Sequence, residues 1–138
     1  MKNHLPTIFA MMAVFALGAV SQAQTFNTLY NFTGSTDGGT PYAGVLLVDG
    51  KLYGTTYQGG AEDDGAVYEL AGGTETPIYS FTGPPDGQLP RAPVIRDSRG
   101  NLYGTTWAGG NPDNDGAVFE INSAGGESVL YDFAGGTS

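Results

Sequence analysis

Four aspartates and two aromatic residues are the side chains of this sequence best suited to binding a ligand. Each aspartate directly precedes a glycine, and the two aromatic residues stand at the start of long polar stretches. The six candidates are Asp37, Asp64, Asp86, Asp115, Tyr57 and Trp107. Carboxylate oxygens are the ligands that Ca²⁺ prefers, and aromatic rings at a surface can stack on sugar rings.

Each of these candidates also has a purely structural interpretation. Aspartate beside glycine is ordinary turn chemistry, and we favour that reading over a calcium site. An EF-hand register fails, because aligning Asp115-Gly116 with loop positions five and six places Asn122 where a glutamate is required. Tyr57 and Trp107 pack between neighbouring elements in the interpretation we favour. We therefore predict no metal and no cofactor, and treat the six side chains as a candidate binding surface.

Two further carboxylates, Glu69 and Glu120, occupy equivalent positions in similar segments. Glycosidases use a pair of carboxylates, one as acid and one as base or nucleophile. These two are copies of one another, so nothing in the sequence gives them different pKa values. We predict no catalytic residue. The alternative is a carbohydrate-active enzyme that uses the carboxylates of its long loops.

The N-terminal 23 residues have the composition of a secretory signal peptide. Lys2 and His4 precede an apolar run of 16 residues from Leu5 to Val20, and Ser21-Gln22-Ala23 supplies small residues for cleavage. The run is shorter than the roughly 20 residues that span a bilayer. We predict cleavage after Ala23 and a secreted, extracellular or cell-envelope location. An uncleaved membrane anchor is the alternative.

Composition narrows the chemistry further. The sequence has no cysteine, and its one histidine, His4, lies in the predicted signal peptide. A mature chain would lack the commonest general base and the thiol nucleophile. With 14 acidic and five basic residues, the net charge is −9, which disfavours nucleic acid as a partner. Without disulfide bonds, packing alone must stabilise the fold.

The sequence is an internal repeat with a period of about 50 residues. LYGTT occurs at 52–56 and again at 102–106, and DGAVYEL at 64–70 returns as DGAVFEI at 115–121. The spacing drifts between 49 and 52 residues, because single-residue insertions fall in gaps rich in glycine or aspartate. Insertions confined to gaps indicate that the similar runs are packed elements and that the gaps are loops.

Each repeat contains four short runs rich in β-branched and aromatic residues, without a helical period. In the first repeat they are Gly44–Val48, Lys51–Tyr57, Gly65–Leu70 and Pro77–Phe81. Four antiparallel strands in about 50 residues are typical of a β-propeller blade. A parallel β-helix is the less favoured alternative.

The sequence thus predicts an all-β, propeller-like segment, 24–138, that forms an incomplete ring. A first blade covers 43–81, a second blade covers 92–133, and an orphan strand at 28–32 precedes them. Gly54 and Gly104 are predicted to mark the close approach of a neighbouring backbone. The long loops all fall at one end of the blades, and the six candidate side chains lie there.

The combination LYGTTYQGG, DGAVYEL and IYSFTGPPDGQLPRAPVI resembles the GloVer-type tandem repeat of exported bacterial proteins. The resemblance implies an extracellular or envelope-associated, propeller-like repeat protein with no established catalytic residues. Such proteins carry many repeats and a C-terminal anchor, whereas this sequence has two complete units. We therefore expect a fragment of a longer protein, whose open blade faces bind further repeats or self-associate. The predicted function is non-enzymatic: surface structure, or binding of a glycan or protein surface ligand.

Overall fold

The computed structural model describes residues 24–135, which contain nine β-strands and no helix. The predicted signal peptide, 1–23, lies outside the described residues. The strands are β1 Leu46–Val48, β2 Lys51–Thr56, β3 Ala66–Ala71, β4 Thr74–Ser80, β5 Gly87–Pro90, β6 Ile95–Arg96, β7 Leu102–Gly109, β8 Ala117–Ile121 and β9 Glu127–Asp132. Within 24–135 there is accordingly no helix long and apolar enough to cross a membrane.

The strands form two antiparallel sheets, one for each predicted blade. The first sheet has the order β1-β2-β3-β4. The second has the order β5-β7-β8-β9, and β6 also pairs with β7. The two sheets do not close into a ring. The prediction of an all-β fold built from two antiparallel, blade-like sheets is confirmed.

Short turns fix the register inside each sheet. Asp49 and Gly50 join β1 to β2 with φ angles of 51° and 77°, so both residues adopt the left-handed conformation that a two-residue hairpin turn requires. Val48 consequently faces Lys51, and Leu46 faces Tyr53. The longer turn of the second sheet places Gly100 at φ 92°, in the left-handed region that glycine adopts without strain.

Three details differ from the sequence-based expectation. β4 begins at Thr74 rather than Pro77, because Gly72 and Gly73 alone make the turn from β3, both with positive φ. The predicted orphan strand at 28–32 is not a strand. It lies against the first sheet through the Phe32 ring, whose centroid is 4.9 Å from that of Tyr68. The crossing loop between the blades also contains an unpredicted strand, β5.

The glycines at the centre of each LYGTT motif leave room for a ring rather than for backbone. A Cβ atom on Gly104 would lie 2.5 Å from the Cζ atom of Phe119 on the neighbouring strand. Gly54 is covered in the same way by the Tyr68 ring. The prediction of a close backbone neighbour was wrong at these positions, because a cross-strand aromatic side chain fills the space.

The hydrophobic core lies between the two sheets. Its buried members come from both, and Phe81 and Phe119 meet edge to face with ring centroids 5.1 Å apart. The full set is Tyr53, Val67, Phe81, Val94, Leu102, Phe119 and Ile121. A hydrogen bond of 3.1 Å from the Thr55 hydroxyl to the Ala92 carbonyl also joins the blades. One face of the first sheet and the opposite face of the second therefore form the interface between the blades.

Candidate functional site

The two aromatic candidates converge on Arg91 at the end of the molecule that carries the long loops. Tyr57 follows β2, and Trp107 lies within β7 at the equivalent position. The Arg91 guanidinium carbon lies 4.6 Å from the Tyr57 ring centroid and 4.2 Å from that of Trp107. An Arg91 Nη2 atom donates a hydrogen bond of 3.1 Å to the Tyr57 hydroxyl. Repeat-equivalent residues of two blades are thus joined through one cation.

A fourth residue, Tyr42, completes the cluster. Its ring meets Tyr57 edge to face at 5.3 Å and lies 5.9 Å from the Arg91 guanidinium. The sequence reasoning missed both Tyr42 and Arg91, although a signal was present. They occupy the same repeat position, in TPYAG and LPRAP. We call Tyr42, Tyr57, Arg91 and Trp107 the aromatic rim.

The aromatic rim is open to solvent. Trp107 is 57% exposed and Tyr42 is 64% exposed. No carboxylate within 24–135 lies at ion-pair distance from Arg91, whereas Lys51 and Arg96 both have acidic partners. The positive charge is held by aromatic rings and one phenol oxygen, so its outer donors remain available in an otherwise acidic protein.

Asp37 and Asp86 each brace the loop in which they lie. The Thr33 amide and hydroxyl donate to the Asp37 carboxylate at 2.8 and 2.6 Å, and the Tyr30 hydroxyl donates at 3.0 Å. Hydrogen bonds from Thr33 lower the pKa of Asp37 to about 2. The motif YxFTGxxDG repeats this arrangement at Asp86, which accepts bonds from the Thr82 amide and the Tyr79 hydroxyl.

Asp64 and Asp115 also contact loops, but with fewer side-chain hydrogen bonds than Asp37 and Asp86. The Asp115 carboxylate accepts a hydrogen bond of 2.6 Å from the Gly135 amide. Asp64 lies beside the equivalent glycine, Gly83, and its backbone carbonyl accepts a bond of 2.8 Å from the Leu89 amide. Burial, aided by Asp63 and Glu62, raises the pKa of Asp64. All four aspartates are therefore positioned by loop geometry, and none lies in the aromatic rim.

Within residues 24–135, no group of three or more aspartate, glutamate or histidine side chains is arranged so that it could hold a metal ion. The candidate aspartates lie in separate loops and use their oxygens for the bonds described above. A calcium site thus finds no support in the described part of the chain.

Glu69 and Glu120 face the same side of their sheets but have different neighbours. The Glu69 carboxylate forms an ion pair of 2.9 Å with Lys51, which lowers its pKa. The Lys51 position is Asn101 in the second blade, and Glu120 instead accepts a bond of 3.4 Å from the Tyr103 hydroxyl. The two carboxylates are therefore tied into their own sheets.

A second pair of equivalent glutamates was not foreseen from the sequence. One carboxylate oxygen of Glu75 and one of Glu127 are buried and have no hydrogen-bond partner. Burial and the nearby Asp86 raise the pKa of Glu127 to about 7, and burial and Asp37 raise that of Glu75. The sequence did contain a signal for this pair, because Glu75 and Glu127 each stand six residues before the equivalent rings of Phe81 and Phe133.

A sequence profile of the Gloeobacter/Verrucomicrobia repeat matches residues 3–138 of this chain. The chain belongs to this family. No curated protein matches it. The match spans both sheets, so the whole described structure is that of a Gloeobacter/Verrucomicrobia repeat.

Membership accounts for the duplicated geometry of this Gloeobacter/Verrucomicrobia repeat. The aspartate braces, the buried glutamates and the rings over Gly54 and Gly104 occur once in each unit and thus belong to the repeat itself. The aromatic rim differs, because Arg91 takes the place that Tyr42 occupies in the first unit. Features that differ between units are the better candidates for a specific ligand.

Proposed function

We propose that the chain is an exported, non-enzymatic repeat segment that binds carbohydrate outside the cell through the aromatic rim. The observation that carries this proposal is the exposed Trp107 ring beside an arginine that has no acidic partner in the described chain. Aromatic rings provide a flat apolar face for a sugar ring, and the guanidinium provides fixed donors for its oxygens.

The environment of the carboxylates supports binding rather than catalysis. Asp37 and Asp86 are repeat copies that brace equivalent loops, and Glu69 and Glu120 are paired within their sheets. An acid and base pair needs two carboxylates with different environments at one substrate position. The aspartates and Glu69 and Glu120 are duplicated in separate blades. Glu127 and Asp86 lie near one another in different environments, but Asp86 is 8% exposed and one oxygen of Glu127 is buried, so neither presents an open carboxylate pair to a substrate.

The test is binding of soluble neutral and uronate-containing polysaccharides, measured by affinity electrophoresis and calorimetry. We expect Trp107→Ala to weaken binding about fivefold, since one stacking contact contributes on the order of 1 kcal/mol. Arg91→Lys keeps the charge but loses the planar fork, and should weaken binding about threefold to tenfold.

The matched control is Phe26→Ala, which removes an aromatic ring that is 90% exposed and lies outside the strands. It should leave binding unchanged. Wild-type protein that binds no polysaccharide of the panel, or binding that survives Trp107→Ala unchanged, would contradict the proposal. Release of oligosaccharides from any polysaccharide would establish the enzymatic alternative.

A further inference from the structure

The two blades expose equivalent faces to different degrees. The side of the first sheet that packs on the second blade, its distal face, carries Leu46, Tyr53, Thr55, Val67, Tyr79 and Phe81. The second blade has the same face, formed by Ile95, Tyr103, Thr105, Val118, Tyr131 and Phe133. Phe81 is fully buried while Phe133 is 42% exposed, and Thr55 is buried while Thr105 is exposed.

The distal face of the second blade is recessed as well as exposed. A groove of about 640 Å³ runs between Thr105, Asp115 and Phe133, and Trp107 of the aromatic rim forms part of its lining, so a docked copy and a bound sugar would compete for this ring. An apolar groove of about 260 Å³ adjoins it, lined by Ile95, Thr105 and Val118 among others. In the first blade the equivalent surface is filled by residues 89–94, whose Pro90 lies against Gly65 and whose Val94 is 2% exposed.

The complementary surface lies at the other end of the molecule and is partly exposed. The proximal face of the second blade consists of Val94, Leu102, Phe119 and Ile121, all buried against the first blade. In the first blade the equivalent residues are Val45, Leu52, Tyr68 and Leu70. Val45 is 50% exposed, and Pro41, the counterpart of buried Pro90, is exposed. Leu52 and Leu70 are half-buried, and Tyr68 is 4% exposed because the Phe32 ring lies on it. Within residues 24–135, the distal face of the second blade is therefore open, and the proximal face of the first blade is covered in part by Phe32.

We propose that the distal face of the second blade binds the proximal face of the first blade of a second copy of this chain, head to tail. The interface between the two blades within the chain is its template. Thr105 takes the role of Thr55 and donates to the Ala43 carbonyl of the second copy, and Phe133 takes the role of Phe81. An interface of this kind closes into a ring or extends as a filament. Propellers have four to eight blades, so rings of two to four copies satisfy the closure.

One segment has to move for this docking. Phe32 lies on Tyr68 with ring centroids 4.9 Å apart, just as Phe81 lies on Phe119 at 5.1 Å. Phe32 thus occupies, within its own chain, the position that Phe133 of the neighbouring copy takes in the assembly. Residues before it are exposed, Phe26 by 90% and Leu29 by 62%, whereas Tyr30 and Thr33 on either side of Phe32 donate hydrogen bonds to Asp37. Docking therefore has to turn the Phe32 ring away from Tyr68, which weakens association relative to a chain without that ring.

The test blocks each face separately and then mixes the two proteins. Ile95→Asp blocks the distal face and Val45→Asp the proximal face, both at positions at least half exposed in the single chain. Each variant alone should be monomeric by sedimentation velocity, while the mixture should form a 1:1 dimer that cannot grow. The control Ala61→Asp, in an exposed loop, should assemble like the wild type.

Two further readouts sharpen the result. Phe32→Ala should tighten association severalfold by removing the competing ring. Because every copy is acidic, association should strengthen as salt screens the repulsion. All variants carry the same apolar N-terminal residues. Association through those residues would therefore be equally strong in the wild type and in the variants with a blocked face. A wild-type monomer at every concentration, or a mixture that stays monomeric, would overturn the proposal.

Discussion

The first and second blades share one architecture and differ in what covers them. Both have the same strand pairing, including a register shift at Val67/Tyr68 and at Val118/Phe119. Their distal faces differ because, among residues 24–135, the first packs on a neighbouring blade and the second is left exposed. Some structural features therefore form within a single repeat, and others form only when a second repeat packs against it. Strand pairing and loop bracing are internal, whereas burial of the distal face depends on the next unit.

The largest expected difference between the blades concerns the equivalent rings of Phe81 and Phe133. Phe81→Ala removes a fully buried ring and should lower the free energy of unfolding by about 3–5 kcal/mol. Phe133→Ala removes a partly exposed ring and should cost below about 1 kcal/mol. Urea unfolding at low protein concentration measures both. If both substitutions lowered the free energy of unfolding equally, the two rings would be equally buried in solution, which would contradict the difference between the distal faces.

The equivalent threonines of the LYGTT motifs should instead behave alike. Thr56 and Thr106 are both buried, and each hydroxyl accepts a hydrogen bond of about 3 Å, from the Ala66 and Ala117 amides respectively. Substitution by valine leaves a buried amide unsatisfied and should cost about 1–3 kcal/mol in either blade. The same unfolding measurement applies. A large difference between the two variants would contradict the claim that this bond is internal to each repeat.

The buried glutamates give a smaller effect that depends on pH. The folded-state pKa of Glu127 is raised to about 7, so the stability associated with its protonated form is present below about pH 4.5 and is lost as the pH rises through 7. Glu127→Gln removes this loss and should stabilise the protein by about 1 kcal/mol at pH 8, since the group is only partly buried.

The control for that prediction is the equivalent variant in the first blade. Glu75→Gln should stabilise in the same direction, because burial and Asp37 raise the pKa of Glu75 as well. Melting curves from pH 5 to pH 8 make the comparison. If Glu127→Gln showed the same pH dependence as the wild type, another group would have to titrate in this range.

The sequence predicted those parts of the fold that repeat. The recurrence of LYGTT and DGAV located two strands of each sheet, because runs that recur with fixed residue types mark the packed elements of a repeat. The start of β4 was missed because Thr74 and Glu75 carry no strand signal distinct from a loop. β5 was missed because its pairing with β7 is long-range and leaves no local periodicity.

The candidate site was predicted only in part, for a related reason. Tyr57 and Trp107 stood out as aromatic copies, and the structure brings both to Arg91. Arg91 is more than 15 residues from Trp107 and more than 30 from Tyr57, so no local pattern links them. The aspartates stood out through the same repetition, yet their repetition reflects loop bracing by Thr33 and Thr82. Repetition alone does not separate a structural role from a binding role.

Native-state hydrogen exchange tests the central comparison most directly, because it reads one hydrogen bond in both blades. The Phe81 amide donates to the Gly65 carbonyl and the Phe133 amide to the Gly116 carbonyl, each at 3.0 Å. The Phe81 amide should exchange only through near-global unfolding, because the second blade covers it. The Phe133 amide should exchange at least about a hundredfold faster in dilute protein. Raising the protein concentration should slow exchange at Phe133 and leave Phe81 unchanged, as a second copy covers the distal face. Equal protection of the two amides in dilute protein would contradict the claim that the distal face is covered in the first blade and exposed in the second.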